Sequence, residues 1–238
     1  MVEHGHSPEA IRERLAEGPR HSYLRDWVYG GIDGAVTTFA VVSGVIGAQL
    51  PPAVILVVGA ANILADGFSM AASNYLGTKT ELEEREYLRR VEHRHIEDFP
   101  EGEREEVRQI FAQKGFEGEE LERVVELITS DHARWVNTML TEEYGLAPEV
   151  RSPVRAAAAT FSAFMVCGVA PLLPFVLAAP RAFTLSAVLT GAAFFAVGSA
   201  KSFWSPTPWW RSGLTTLLIG AVAACLAYVV GVLTRGLL

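Results

Sequence analysis

The chain has 238 residues, half of them hydrophobic, and a formal net charge of -7. Residues 79–155 hold 20 of the 27 acids and 12 of the 20 bases, about -8 in all, while the remainder is nearly neutral and carries long apolar runs. Such segregation excludes an ordinary soluble globule and points to a membrane protein with one soluble insert, and the acidic balance excludes a nucleic-acid binder, which needs a basic face.

Residues 1–26 read as a polar tail of mixed charge, with no apolar h-region and so no cleavable signal peptide. Five stretches then meet the roughly 20 apolar residues that a membrane span needs: 27–50, 53–76, 156–178, 182–203 and 213–233. Pro51-Pro52 joins the first two, Pro180 and Arg181 separate the third from the fourth, and Ser205-Pro206-Thr207-Pro208 separates the last two. Trp204, Trp209 and Trp210 stand where an interfacial aromatic belt belongs. The bases of the tail (Arg12, Arg14, Arg20, Arg25), of the insert and of the last loop (Lys201, Arg211) fall on one side of a five-span topology. Arg181 and Arg235 fall on the other. The positive-inside rule puts the N-terminus and the 79–155 domain in the cytoplasm. Cys167 and Cys225 both lie in apolar runs, which makes neither a disulfide framework nor a zinc site.

The insert reads as three helices. The first, 81–99, carries Leu88, Val91, His95 and Phe99 at helical spacing and ends before Pro100; the second, 101–114, stops at Gly115; the third, 118–144, stops at Gly145, and Pro148 leads back toward the membrane. About 75 residues make a small core that bound metal or a partner would help to hold. The fold class is therefore an all-α membrane protein: tail 1–26, spans one and two in 27–78, insert 79–155, and spans three to five in 156–238.

Ionisable groups inside a membrane cost about 2.5–3.5 kcal/mol each on insertion scales, so they mark function by default. Asp33 lies in the first span and Asp66 in the middle of the second. Asn62, Asp66, Met70 and Asn74 recur at i, i+4 along one face, and Asp33 and Thr37 stack likewise. Two polar stripes on adjacent spans describe a path for a cation, and thioether plus carboxylate suits a transition metal rather than Mg2+ or Ca2+. Gly30-x3-Gly34 and Gly44-x3-Ala48 fit close helix approach, which between two copies would bring Asp33 near its symmetry mate.

In the insert, Glu92-x2-His95, Glu103-x2-Glu106 and Met139-x3-Glu143 each put two donors on one helical face. With 20 acids in this segment, such pairs also arise by chance, and a solvated acidic face is the plain alternative. Glu92-x2-His95 has the form of a di-iron motif, but that chemistry needs a second copy. His93 and His132 follow Arg90 and Thr129 rather than glutamates, so the oxidase reading fails. No phosphate loop or nucleophile triad motif is present.

Asp33-Gly34-Ala35-Val36-Thr37-Thr38-Phe39, Gly44-x2-Gly47-Ala48, Ala65-Asp66-Gly67-Phe68-Ser69-Met70 and Trp135-x3-Met139-x3-Glu143-x-Gly145-Leu146 resemble the vacuolar iron transporter family, including its nodulin-21-like and bacterial members. The resemblance spans about residues 23–235. It implies a homodimer of five-span subunits that exports Fe2+, or Mn2+, from the cytosol in exchange for protons, with no prosthetic group and no enzymatic step. By position, Asp33 and Met70 correspond to pathway residues, and Glu92, Glu103, Glu106, Met139 and Glu143 to ligands of the cytoplasmic metal-binding domain. Two departures stand out: His95 replaces an expected glutamate, and Leu140 an expected second methionine, which would leave the site a ligand short. Taken with the residue reading, the expected metal set is Glu92, His95, Glu103, Glu106, Met139 and Glu143. The expected pathway is Thr37, Asn62, Asp66, Met70 and Asp33. A Mn2+ or broad divalent exporter of the same fold, and a membrane-anchored metal sensor or buffer, are the rivals. The compact chain favours a prokaryotic plasma membrane.

Overall fold

The computed structural model describes residues 5–17, 22–147 and 151–237. Arg20 and Pro148 lie outside these residues, as does the side chain of Trp204. The described residues are helical, with no strand among them. The chain divides into two compact units, Met1–Leu76 with Ser152–Leu238, and Gly77–Arg151.

In the first unit the tail carries a ten-residue helix, α1 (Pro8–Glu17), which the polar composition does not announce. α2 (Leu24–Gly47) follows, with Ala35, Phe39, Val42 and Val45 among its buried residues. Its end is a Schellman turn. Gln49 takes φ 57°, its N–H donates to the Ile46 carbonyl at 3.0 Å, and the Leu50 N–H donates to the Val45 carbonyl at 3.1 Å. Pro51 and Pro52 then forbid continuation, and Pro52 opens α3 (Pro52–Asp98) at the position where its missing N–H is harmless.

The small residues of α2 serve contacts within the chain. A Cβ on Gly30 would stand 2.2 Å from the Thr160 carbonyl oxygen, and one on Gly34 2.5 Å from that of Phe164. At the other end a Cβ on Gly47 would stand 2.5 Å from the Tyr228 carbonyl, and one on Gly231 2.2 Å from that of Gly44. Backbones therefore meet directly between α2 and α7 (Pro153–Val169), and between α2 and α10 (Trp209–Thr234). The reading of Gly30-x3-Gly34 and Gly44-x3-Ala48 as a contact between copies is corrected accordingly: these surfaces are already occupied.

Among the described residues four helices are long and apolar enough to cross a membrane: Leu24–Gly47, the first part of Pro52–Asp98, Ala182–Phe203 and Trp209–Thr234. The expected third span, 156–178, is not one helix. α7 stops at Val169 after 17 residues, and a single turn, α8 (Leu173–Val176), follows. Pro171 and Pro174 account for the break, since each lacks the N–H for an i−4 bond and crowds the preceding turn. The freed Pro171 carbonyl accepts a 2.6 Å hydrogen bond from the buried Ser186 hydroxyl of α9 (Ala182–Ala200), which makes irregular backbone tolerable at this depth.

The expected boundary between the second span and the first insert helix is also absent, because α3 runs unbroken for 47 residues. Between Leu76 and Glu83 stands only one glycine and no proline, and a lone Gly costs about 1 kcal/mol, too little to end a helix. Lys79 and Glu83 add an i, i+4 ion pair at 3.4 Å. In the second unit α4 (Pro100–Gln113) follows the expected course, and Gly115 at φ 93° closes it. The expected third helix is two, α5 (Gly118–Thr129) and α6 (His132–Glu142). Asp131 divides them by accepting the Arg134 N–H at 2.7 Å, an N-cap that starts a new helix.

Val107, Val125, Val136, Met139 and Leu140 are almost fully buried, with Ile96, Ile128 and Trp135, in one apolar cluster. Full burial of such side chains contributes about 1.5–3 kcal/mol each. The Arg108 guanidinium clamps α4 to α5 by two hydrogen bonds to the Glu122 carboxylate, at 2.8 and 3.0 Å.

Candidate functional site

In the membrane unit, α2 and α3 bring the expected polar residues to their shared side. Asp33 is half-buried and lies within electrostatic reach of Asp66, which is exposed on α3. The Asn62 amide donates to the Asp66 carboxylate one turn away, so these two form a unit within one helix. Thr37 donates its hydroxyl to the Asp33 backbone carbonyl at 2.9 Å and so spends its donor on the helix rather than on the Asp33 carboxylate. Met70 is half-buried on the same helix. Toward the start of α3, Ile55 and Ile63, on the same side of the helix as Asp66, join Phe39, Val42 and Leu172 in an apolar cluster. Leu64 and Phe68, two residues to either side and so across the helix from Asp66, are exposed as well.

A second polar cluster was not anticipated. Asp26, 3 % exposed, accepts from the Asn74 amide at 2.9 Å, and the same amide donates to Thr160 at 2.8 Å. The Thr160 hydroxyl in turn donates to the Ala156 carbonyl at 3.1 Å. This knot ties α2, α3 and α7 together. The signal in the sequence is the seven-residue spacing of Asp26 and Asp33, two turns apart on one face of α2. Asn74, read as the end of the pathway stripe, instead supports this carboxylate.

In the second unit, α3 and α4 set the two buried carboxylates of the insert side by side. Glu92 is 0 % exposed and Glu103 5 %, and the two carboxyl groups lie close enough for each to act on the other's charge. The His95 Nδ1 stands 3.4 Å from Glu103 Oε1 and 3.8 Å from Glu92 Oε1. Tyr144, beyond the end of α6, donates its hydroxyl to Glu92 Oε1 at 2.9 Å. Sequence reasoning missed this residue, whose only signal is its place directly after Glu143. Glu92 Oε2 and Glu103 Oε2 are buried without a hydrogen-bond partner.

The electrostatics follow from this crowding. Burial first, then the Glu92, Glu106 and Glu143 carboxylates, push Glu103 up to about 7. Burial and the carboxylates of Glu92 and Glu106 also raise Glu143. Burial, then the bond to Glu92, raises the Tyr144 phenol. Glu106, Glu143 and His95 are exposed at the open side of the cluster. Met139 is fully buried and belongs to the apolar cluster, and Leu140, in the place of an expected methionine, packs beside it.

Among the described residues, no group of three or more His, Cys, Asp or Glu side chains already stands in metal-holding geometry. The chemistry of the donors nevertheless fits a divalent ion. Two orphaned carboxylate oxygens in a dry site are unfavourable as they stand, and a cation supplies what they lack. Carboxylate oxygen with one imidazole nitrogen suits Fe2+ or Mn2+.

The chain is 33 % identical over 208 residues to vacuolar iron transporter 2 of Oryza sativa subsp. japonica, covering 86 % of this chain and 85 % of the relative. It is 35 % identical over 212 residues to vacuolar iron transporter 1 of Arabidopsis thaliana, covering 86 % and 83 %. It is 30 % identical over 228 residues to a vacuolar iron transporter of Toxoplasma gondii, covering 90 % and 74 %. These relatives are named as transporters, in keeping with a chain that is not an enzyme. They are named for a vacuole and come from plants and a parasite, which gives no support to the expected prokaryotic plasma membrane. A family profile described as the VIT family matches residues 24–232, nearly the whole chain, and the protein belongs to that family.

Proposed function

We propose that this chain exports Fe2+ from the cytoplasm in exchange for protons, as a homodimer. Residues 77–151 capture the ion on Glu92, His95, Glu103, Glu106 and Glu143, with Met139 as the remaining expected ligand. The ion then leaves past Met70, Asp66 and Asp33, with Asn62 and Thr37 bracing that face. Protons returning from the far side neutralise Asp33 and weaken its hold on the metal. In this reading α7, its proline break and α8 together make one crossing, which completes five spans and places the tail and residues 79–155 in the cytoplasm.

The observation that carries the proposal is the pair Asp33 and Asp66, brought within electrostatic reach on two apolar helices. A carboxylate in a span has no place against lipid. Asp66 is exposed in the single chain, and a second copy against it would keep this carboxylate from lipid, which supports the homodimer on grounds separate from the glycine motifs. The names of the relatives support iron as cargo. With Met139 packed in the apolar cluster, the donors at the open side are oxygen and nitrogen, which suits Mn2+ as the alternative cargo.

Uptake of Fe2+ and of Mn2+ into proteoliposomes, measured for wild type and Asp66→Asn beside calorimetric metal binding, tests the reading. The expected result is flux in the wild type, and loss of flux with retained binding in the variant. Equal flux in both would remove Asp66 from the pathway. Binding without flux in the wild type would favour the membrane-anchored sensor or buffer.

A further inference from the structure

We infer that the membrane unit carries a binding site for an anionic phospholipid where α2 and α10 begin. A cavity of about 710 Å3 opens there between α2, the 3-10 turn Lys201–Trp204, the loop after it and α10. Its lining divides by chemistry. Arg25, Lys201, Ser205 and Thr207 belong to the helix ends and the loop; Val28, Ile32 and Ile219 lie deeper along α2 and α10, with Thr215 and Thr216, whose hydroxyls donate to the Arg211 and Ser212 carbonyls of their own helix. Ile32 is eight residues past Leu24 and Ile219 ten past Trp209, so the lining extends about 12–15 Å along the helices at 1.5 Å per residue.

Charge at the mouth is of one sign. Among the described residues no acidic side chain lines the cavity, and the cations Arg25 and Lys201 do. Arg25 lies over the Tyr29 ring at 5.5 Å, which holds its guanidinium at the rim. The N-termini of α2 and α10 add their partial positive charge at this end, with one N–H of α2, that of Leu24, already donating to the Ser22 hydroxyl at 3.3 Å. Arg211 over Trp210 at 5.0 Å, with Trp209 exposed beside it, marks the level of a membrane interface. A basic, hydroxyl-rich mouth at the interface above an apolar slot complements a phosphate headgroup with its acyl chain below, and basic pockets between spans select anionic headgroups. A zwitterionic lipid would bring its own cation to the same mouth and bind less well. The inference rests on the transmembrane reading of this unit and not on which metal is carried.

Native mass spectrometry of the detergent-solubilised full chain tests it, with phosphatidylglycerol and phosphatidylcholine of matched acyl chains as probes. The expected result is retention of phosphatidylglycerol about tenfold or more above phosphatidylcholine, falling to the phosphatidylcholine level in R25Q/K201Q. R181Q/R235Q, which removes equal charge from residues outside the cavity, retains it. Ile32→Trp keeps both cations but fills the slot, and it also loses the adduct, so the test stands even if the double variant folds poorly. Equal retention of the two lipids by wild type, or unchanged phosphatidylglycerol retention in R25Q/K201Q or in Ile32→Trp, overturns the site. Displacement of the lipid by millimolar inorganic phosphate makes a free anion the occupant and also overturns it.

Discussion

Replacing Glu103 by glutamine stabilises the metal-free second unit and weakens its hold on metal. The folded chain holds the Glu103 carboxyl at about 7, against 4.5 for an ordinary glutamate, because the group is buried among Glu92, Glu106 and Glu143. At 1.36 kcal/mol per pH unit that difference corresponds to about 3 kcal/mol, and solvent screening from the open side reduces it to about 1–2 kcal/mol. The sign follows from linkage. Below about pH 4.5 the carboxyl is protonated in folded and unfolded chains alike, and its favourable contribution is complete. As pH rises the unfolded chain ionises first, so the contribution is lost progressively until about pH 7, where the folded carboxyl ionises too. Glutamine is never ionised and removes this loss. Hydrogen exchange of peptides from α3, α4 and α6, with chelator present, reads the local stability that a whole-chain melt of two units would blur. Glu103→Gln should match wild type near pH 4 and exceed it in protection at pH 8, while Mn2+ protects wild type more than the variant. Equal or lower protection in the variant at pH 8 would refute the reasoning.

Other outcomes follow from single contacts. Tyr144→Phe removes the donor to buried Glu92 and should cost about 1–3 kcal/mol of local stability in the metal-free chain, read by the same exchange experiment, with added Mn2+ narrowing the difference. Gly34→Ala sets a Cβ 2.5 Å from the Phe164 carbonyl, so α2 and α7 must part. A loss of at least about 1–3 kcal/mol should appear as a lower melting temperature in detergent. Gly77→Ala meets nothing within 4 Å and should be neutral or raise stability by up to about 1 kcal/mol in the same melt. Asn74→Ala strips a donor from the buried Asp26 carboxylate and should lower the melting temperature, whereas Asn74→Asp should lower it further by adding like charge.

Much of the architecture is legible in the sequence because its signals are local. Apolar runs mark the spans, Pro51-Pro52 and Gly115 stop helices where they are expected to, and the acid-rich stretch falls in a unit of its own. The departures come where local signals compete. Apolar composition from 156 to 178 outweighs Pro171 and Pro174 in a hydropathy reading, yet two missing N–H groups decide the backbone. The apolar pattern from Leu121 to Leu140 continues through Ser130-Asp131, where a side-chain cap interrupts the helix. Small residues on α2 declare close packing but not with what, and the partners prove to be α7 and α10. At the insert site, spacing pairs Glu92 with His95, but only the fold brings Glu103 and Tyr144 to them. Met139 illustrates the reverse: the spacing that pairs it with Glu143 also fits a core position, and it is buried in the apolar cluster.

The central claim, that metal moves through the membrane unit against protons, is tested most directly by Fe2+ entry into proteoliposomes. The lumen is held acidic or matched to the bath, for wild type and Asp33→Ala. The account predicts uptake in the wild type that is driven by luminal acid and accompanied by proton exit, and its abolition by the substitution. Uptake that ignores the pH difference, or that survives in Asp33→Ala, would contradict it.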